Sequence, residues 1–405
     1  MKTLIKMDTS NTNKTIEQKK ALNQWAVNKF IGSIIAGTGF GKSRCGVLAV
    51  EFALKECQQA RTNGYKKRNA YSGRALILVP TIQLQDQFRA EFTKWGVERC
   101  LDNVDILCYQ SAYKLVGNYY DIVVCDEIHL GLSVKYRKFF ENNTYDKLLC
   151  MTATLPEEEE YRLLLYKLAP TAYSITLDKC VELGIVSPYK INCIPIQLTD
   201  EERARYQTIN SKFVKCKYAL GQYDAFNNAK SIMGNTHAHP DDKRVAAQFY
   251  QAIRERKAIV DFAENKIIAF QKLVGDNIDK KILVFSGAND FTDQLSDSVS
   301  PLAVAYHSKK TKKKREAALE LFRNDEINVL CSTKALNQGL DIPNANMGII
   351  CGLTSKSLSM IQRIGRLIRF QEGKVGSIYI LYVENSQEEK WLKNSVKSLD
   401  NINWL

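Results

Sequence analysis

The chain has 405 residues, with 57 Lys and Arg against 44 Asp and Glu and a formal net charge of +13. That length exceeds one ordinary core and suits two domains of about 150 residues with an insertion; the positive balance suits a polyanionic partner such as nucleic acid. No apolar run approaches the roughly 18 residues of a membrane helix, and the polar stretch Met1 to Lys20 lacks a secretory apolar core. Eleven cysteines without a CxxC pair argue against zinc ribbons and disulfides, and for the reduced thiols of an intracellular, cytoplasmic protein.

The first segment that carries chemistry is Ala36 to Ser43, AGTGFGKS. It follows the apolar run Ile31 to Ala36 and opens a stretch, Gly46 to Leu54, whose apolar residues suit a helix. Strand, loop and helix in that order make a phosphate-binding loop. Gly37, Gly39 and Gly41, with Thr38 among them, let the backbone curl so that its N–H groups and the helix N-terminus face phosphate oxygens. Lys42 then reaches the β and γ phosphates of ATP, and Ser43 offers a hydroxyl to Mg²⁺. Ala36 stands where the strict pattern has Gly.

Strand-like runs come next at Ala75 to Val79, ending in Pro80 and Thr81, and at Val104 to Cys108, ending in Tyr109, Gln110 and Ser111. Asp121 to Cys125 (DIVVC) is continuous in the way of a strand buried on both faces. The residues after it, Asp126 to His129 (DEIH), therefore emerge at the carboxyl end of a parallel sheet, where ligands of open α/β sheets bind. Asp126 is placed to hold Mg²⁺ through water, and Glu127 to orient or deprotonate the attacking water. Leu148 to Met151 is the next run and leads into MTATL. Strands alternating with helical stretches imply a parallel sheet covered on both faces.

From Leu198 to Val274 the texture changes to charged residues with apolar positions at helical spacing. Thr199 and Glu202 in LTDEERARYQ form a capping-box pattern that starts a helix, and RERKAIVDFAENKIIAFQKLV suits a single helix leading into a second domain. His237 and His239 in NTHAHPDD read as a surface loop, since no Cys pair accompanies them. A second α/β set runs through Ile282 to Phe285, Ala303 to Tyr306, Asn328 to Cys331, Met347 to Cys351 and Ser377 to Val383. The basic run Lys309 to Arg315 either attracts a polyanion or is a solvated helix face. Gln362, Arg363, Arg366 and Arg369 recur at helical spacing, most of them on one face.

Six segments in this order, AGTGFGKS, DEIH, MTATL, ILVFSG, STKALNQGLDIPNAN and QRIGRLIR, resemble the motifs of superfamily 2 helicases. The inter-domain texture resembles the XPB-like branch, which includes phage branch-migration and repair helicases. The resemblance implies two RecA-like α/β domains with parallel sheets and a helical insertion: residues 1–197, 198–275 and 276–405. It implies that Arg366 and Arg369 are arginine fingers, that Gln362 and His129 bridge the domains near the γ-phosphate, and that Thr152 and Thr154 couple hydrolysis to movement. Gly339 and Asp341 would meet the nucleotide from the second domain. Gln18 would read adenine, an ordinary surface residue being the other reading. Pro80, Thr81, Tyr109, Gln110 and Ser111 in the first domain, and Ser286, His307 and Thr333 in the second, would grip sugar and phosphate without sequence specificity. Gln338 stands where many XPB-like helicases carry Glu. The implied function is an ATP-dependent, Mg²⁺-requiring translocase on single-stranded or branched DNA, as in repair or recombination. An RNA helicase or transcript-release ATPase is the alternative, and a silent binding protein a third. One chain carries both halves of the ATP site, which suits a monomer.

Overall fold

The computed structural model describes residues 12–62, 73–333, 345, 347–354, 375–397 and 399–405. Gln338, Gly339, Asp341, Gln362, Arg363, Arg366 and Arg369 therefore lie outside the described residues.

The first sheet has six parallel strands: β1 (Ile31–Ala36), β2 (Ala75–Val79), β3 (Val104–Cys108), β4 (Tyr119–Asp126), β5 (Thr144–Thr152) and β6 (Thr171–Ile175), in the order β3-β2-β4-β5-β1-β6. Its helices are α1 (Thr12–Val27), α2 (Lys42–Thr62), α3 (Ile82–Lys94), α4 (Tyr109–Ala112), α5 (Lys138–Asn142), α6 (Glu159–Leu168) and α7 (Leu177–Glu182). Every residue of β2 is buried, as is β4 beyond Tyr119, which is why both read as unbroken apolar runs rather than as alternation. β5 lies between β1 and β4, with Ile35 opposite Thr152 and Asp126 opposite Met151. The phosphate loop and DEIH thus leave strands that flank β5 and reach the same end of the sheet. Trp25 fastens α1 to this sheet, its indole N–H donating to the Leu148 carbonyl at 2.9 Å.

The second sheet has seven strands: β7 (Tyr189–Ile196), β8 (Ile282–Phe285), β9 (Ala303–Tyr306), β10 (Val329–Ser332), β11 (Met347–Ile350), β12 (Gly376–Val383) and β13 (Ile402–Trp404), in the order β13-β7-β12-β11-β8-β10-β9. All of its pairings are parallel. β7 pairs with β12 along its whole length, so the second sheet takes a strand from before residue 197. The expected division at 197/198 falls after that strand, and the sheets separate before Tyr189. The pairing that decides this is with a strand far along the chain, which no local pattern reveals.

Between β7 and β8 lie α8 (Asp200–Ala219), α9 (Ala225–Gly234), α10 (Pro240–Asp261) and α11 (Glu264–Gly275). The Thr199 capping box forms as expected: its hydroxyl accepts from the Glu202 N–H, and the Glu202 carboxylate accepts from the Thr199 N–H at 3.0 Å. The single helix expected across RERKAIVDFAENKIIAFQKLV is two, because the backbone leaves the helical region at Ala263 and starts again at Glu264. Ala263 is fully buried, so tertiary packing, not a Gly or Pro, sets the break. His239 caps α10, its ring nitrogen accepting from the Asp241 N–H at 3.3 Å.

One ionic contact ties the insertion to the second sheet. Lys266 of α11 and Glu388 of the helix Gln387–Ser395 are fully buried and 2.8 Å apart. Lys266 also donates to the Cys351 carbonyl, while Glu388 accepts from the N–H groups of Val383 and Leu353. Both charges are thus held among polar partners at the carboxyl ends of β11 and β12. All eleven cysteines are buried thiols.

Candidate active site

The loop between β1 and α2 curls as its glycines demand. Gly39 and Gly41 take φ of 95° and 87°, values that only glycine adopts without strain. α2 begins at Lys42, so its N-terminal dipole points into the loop. The Lys42 ammonium folds back over the loop and donates to the Ala36 carbonyl at 2.8 Å. Ser43, in the first turn of α2, is partly exposed.

The loop rests on side chains from α1, from α7 and from the segment that follows α7. Gln18 of α1 is fully buried; its amide donates to the carbonyls of Phe40 at 2.7 Å and Gly41 at 3.4 Å, and accepts from Arg44 at 2.9 Å. This corrects the surface reading of Gln18: its side chain is buried, and its amide joins α1 to the loop. A methyl group on Gly41 would lie 2.4 Å from the Gln18 amide nitrogen, and one on Gly39 2.6 Å from Val186. Gly41→Ala combines that clash with a left-handed backbone, a strain of about 1–3 kcal/mol. We expect it to weaken ATP binding roughly tenfold, measured by titration with a fluorescent ATP analogue; unchanged affinity would show that the loop yields freely.

Across β5, Asp126 ends β4 and is buried, and Glu127 follows with a left-handed φ of 48°. Such backbone in a non-glycine residue costs free energy and collects at working sites. The strain turns the Glu127 carboxylate toward His129, whose Nδ1 lies 3.4 Å from Oε2. Neither of those two buried atoms has a hydrogen-bond partner of good geometry among the described residues. Burial, and then the neighbouring Glu127, push the Asp126 carboxyl up to about 7 against the pull of Lys42. Burial also acts upward on Glu127, but His129, Lys42 and the Ala153 N–H outweigh it and hold that carboxyl below its ordinary value. In this coupled pair Glu127 therefore keeps the charge, and Asp126 takes up a proton first when no cation is near. The Thr152 hydroxyl donates to the Thr154 carbonyl at 3.0 Å, closing the turn after β5. The Glu127 contact with Ala153 thus joins DEIH to MTATL.

Structure and expectation part at the nucleic-acid positions. Pro80, Thr81, Gln110 and Ser111 do gather at the carboxyl ends of the adjacent strands β2 and β3. Gln110 donates to the Pro80 carbonyl at 3.3 Å, and the Thr81 hydroxyl begins α3 without capping it or finding another partner among the described residues. Tyr109 does not join them. It is 1% exposed, and its hydroxyl donates to the Asp126 carbonyl at 2.9 Å, so it braces the DEIH strand end instead of facing solvent. In the second domain, Ser286 and His307 are each 1% exposed. Ser286 bonds to the Ala288 carbonyl and Thr292, and His307 to Asp293 at 3.1 Å. The Thr333 hydroxyl donates to Asn289. These three side chains close turns within their own domain, because the ends of β8, β9 and β10 point them inward.

Sequence reasoning missed Arg44. It is buried, donates to Gln18 and Thr15, and stacks 3.9 Å above the Trp95 ring at the end of α3. Cation–π packing of this kind links the phosphate loop to α3, the helix that follows Thr81. Leu177 and Val186, which pack against Gly37 and Gly39, were also missed.

Residues 12–157 match the family model described as type III restriction enzyme, res subunit, and residues 265–371 match that of the helicase conserved C-terminal domain. The DNA 3'-5' translocase XPB2 of Sulfurisphaera tokodaii is 25% identical over 370 residues, covering 87% of this chain and 77% of the relative. The pre-mRNA-splicing ATP-dependent RNA helicase PRP28 of Saccharomyces cerevisiae is 22% identical across 92% of this chain, which spans 59% of that relative. Among solved structures, Saccharomyces cerevisiae Dbp5 bound to RNA and ADP BeF3 superposes with a TM-score of 0.59 at 14% identity, over 96% of this chain and 88% of the other. The Pyrococcus furiosus Hef helicase domain does so at 0.52 and 15%, over 95% and 98%. At those identities the structures speak for the fold: two RecA-like domains with parallel sheets. Because the family matches fall on strands of both sheets and the XPB2 likeness runs through most of the chain, this protein belongs to the superfamily 2 helicases of XPB-like type, ATP-hydrolysing enzymes that depend on nucleic acid.

Proposed function

We propose that the chain is a DNA translocase or helicase that converts ATP hydrolysis into movement along, or remodelling of, single-stranded or branched DNA. The observation that carries this reading is the convergence of the phosphate loop, Asp126 and Glu127, and the Thr152 turn at one end of the first sheet. The similarity to a DNA translocase along 87% of the chain supports DNA as the track.

In this reading the N–H groups of the curled loop and Lys42 bind the triphosphate. Glu127, the carboxylate that keeps its charge, orients and deprotonates the attacking water. The oxygen donors Ser43 and Asp126 suit a hard cation such as Mg²⁺, which when bound neutralises charge on the phosphates. From the second domain, Gly339 and Asp341 meet the nucleotide, Gln362 senses its γ-phosphate, and Arg366 and Arg369 stabilise the charge that develops there. His129, Thr152 and Thr154 pass closure of the domains on to the strand held near Pro80, Thr81, Gln110 and Ser111. Both halves of the ATP site lie in one chain, which supports a monomer, and the buried thiols suit a reducing compartment.

An RNA track is the second reading, favoured by the similarity to PRP28. Steady-state ATP hydrolysis with no nucleic acid, single-stranded DNA, a four-way DNA junction and RNA of matched length separates the two. Several-fold stimulation by DNA, greatest on the junction, is expected. Stimulation by RNA alone would replace DNA with RNA as the track, and no hydrolysis under any condition would remove the enzymatic reading.

A further inference from the structure

The insertion carries a feature that neither the ATP site nor the sheets use. α8 and α9 both pack on α10, and their inner faces bury a small core of Cys216, Leu220, Ala225, Ala229, Ala246 and Phe249. Their outer faces and the turn that joins them hold aromatic rings in solvent: Tyr223 is 97% exposed, Tyr218 61% and Phe226 58%. The turn is built rather than slack. Gly221 takes a φ of 80°, the Asp224 N–H donates to the Gly221 carbonyl at 2.9 Å, and the Asn228 amide closes the loop on the Leu220 carbonyl at 2.8 Å. Phe226 stands edge-on to Tyr250, with ring centroids 5.6 Å apart. Three large rings clustered in solvent on one hydrogen-bonded turn form an exposed aromatic surface of the kind that makes contacts.

Charge selects the partner. From Thr208 to Gly234 the insertion has four lysines, at 212, 215, 217 and 230, and one acid, Asp224. Lys230 lies four residues after Phe226, on the same face of α9. Aromatic rings interleaved with lysines form the composition that binds unpaired nucleic acid, bases stacking on the rings and phosphates meeting the cations. A hydrophobic protein partner would not call for the lysines.

We propose that the α8–α9 turn is a base-stacking contact for an unpaired stretch of the nucleic acid, with Tyr223 and Phe226 as the platforms and Lys217 and Lys230 holding the backbone. The inference rests on the nucleic-acid dependence of the motor and adds to it a second point of contact outside the RecA-like domains. Such a contact holds the strand while the domains change their grip.

The test uses the whole chain and a fluorescent thymidine oligonucleotide, with affinity read by anisotropy at fixed salt. Loss of a stacked base corresponds to about 5- to 150-fold weaker binding. We expect a loss in that range for Tyr223→Ala with Phe226→Ala, and retention with Tyr223→Trp. Tyr223→Leu keeps apolar area without the ring and should bind weakly. ATP hydrolysis without nucleic acid should not change, and the thermal midpoint should fall by no more than the Phe226–Tyr250 contact contributes, since Tyr223 is exposed. Unchanged affinity in the alanine variant, or wild-type binding with leucine, would overturn the proposal and leave a protein partner as the occupant. Failure of the wild type to bind the oligonucleotide or respond to it would instead count against the DNA reading, so the two failures are distinct.

Discussion

Replacing Glu127 with glutamine is expected to lower the turnover of ATP by about 10²–10⁴-fold, the contribution of a positioned general base, while leaving ATP affinity within a few-fold of wild type. The amide matches the carboxylate in shape, so it can occupy the same left-handed position beside His129 and the Ala153 N–H. What it loses is the charge that the surroundings maintain. Asp126 does not take over: in the proposed reading it is committed to the cation, and burial still pushes its carboxyl upward once the Glu127 charge is gone. Single-turnover hydrolysis together with nucleotide titration checks both halves of the expectation. Hydrolysis at the wild-type rate would show that the base lies elsewhere, and loss of ATP binding would show that Glu127 shapes the pocket rather than activating water.

Cutting the Lys266–Glu388 contact should have the largest effect on stability. Lys266→Met leaves the Glu388 carboxylate buried with two N–H donors but no counter-charge, and removal of one partner from such a pair costs about 3–5 kcal/mol. Burial already pushes the Glu388 carboxyl upward against the pull of Lys266, so without the lysine its charged form has still less support. Adding Glu388→Gln to Lys266→Met should restore much of the loss, since a neutral amide oxygen still accepts from Val383 and Leu353. Equilibrium urea unfolding followed by tryptophan fluorescence measures this, with Trp391 on the same helix as Glu388 as a local reporter. Equal midpoints for wild type and Lys266→Met would mean that the pair contributes nothing, and failure of the double variant to recover would place the cost in packing rather than charge.

The ATP site was legible because its signals are local. A strand, three glycines, a lysine and a helix occupy consecutive positions in Ile31 to Leu54, and a fully apolar strand followed at once by two acids says which end of the sheet those acids occupy. What the sequence hid was set by distant partners. β7 belongs to the second sheet through pairing with β12, and Arg44 meets Trp95 through the packing of α2 on α3. Tyr109, Ser286 and His307 were misread for a related reason. A position at a strand end can be inferred from the sequence, but whether the side chain there turns to solvent or back under the next loop depends on neighbours far along the chain. Even the break before Glu264 lacks a Gly or Pro, because the burial of Ala263 decides it.

The cysteines have a practical consequence. All eleven are buried, and burial pushes the thiols of Cys45, Cys57 and Cys193 up to about 12, leaving them almost wholly protonated at neutral pH. Because the thiolate is the reactive form, a cysteine introduced at an exposed position on each sheet domain will outcompete the native ones for maleimide dyes. Distances between the two halves of the motor through its cycle thus become accessible to fluorescence energy transfer on the native background, without first stripping the chain of its own thiols.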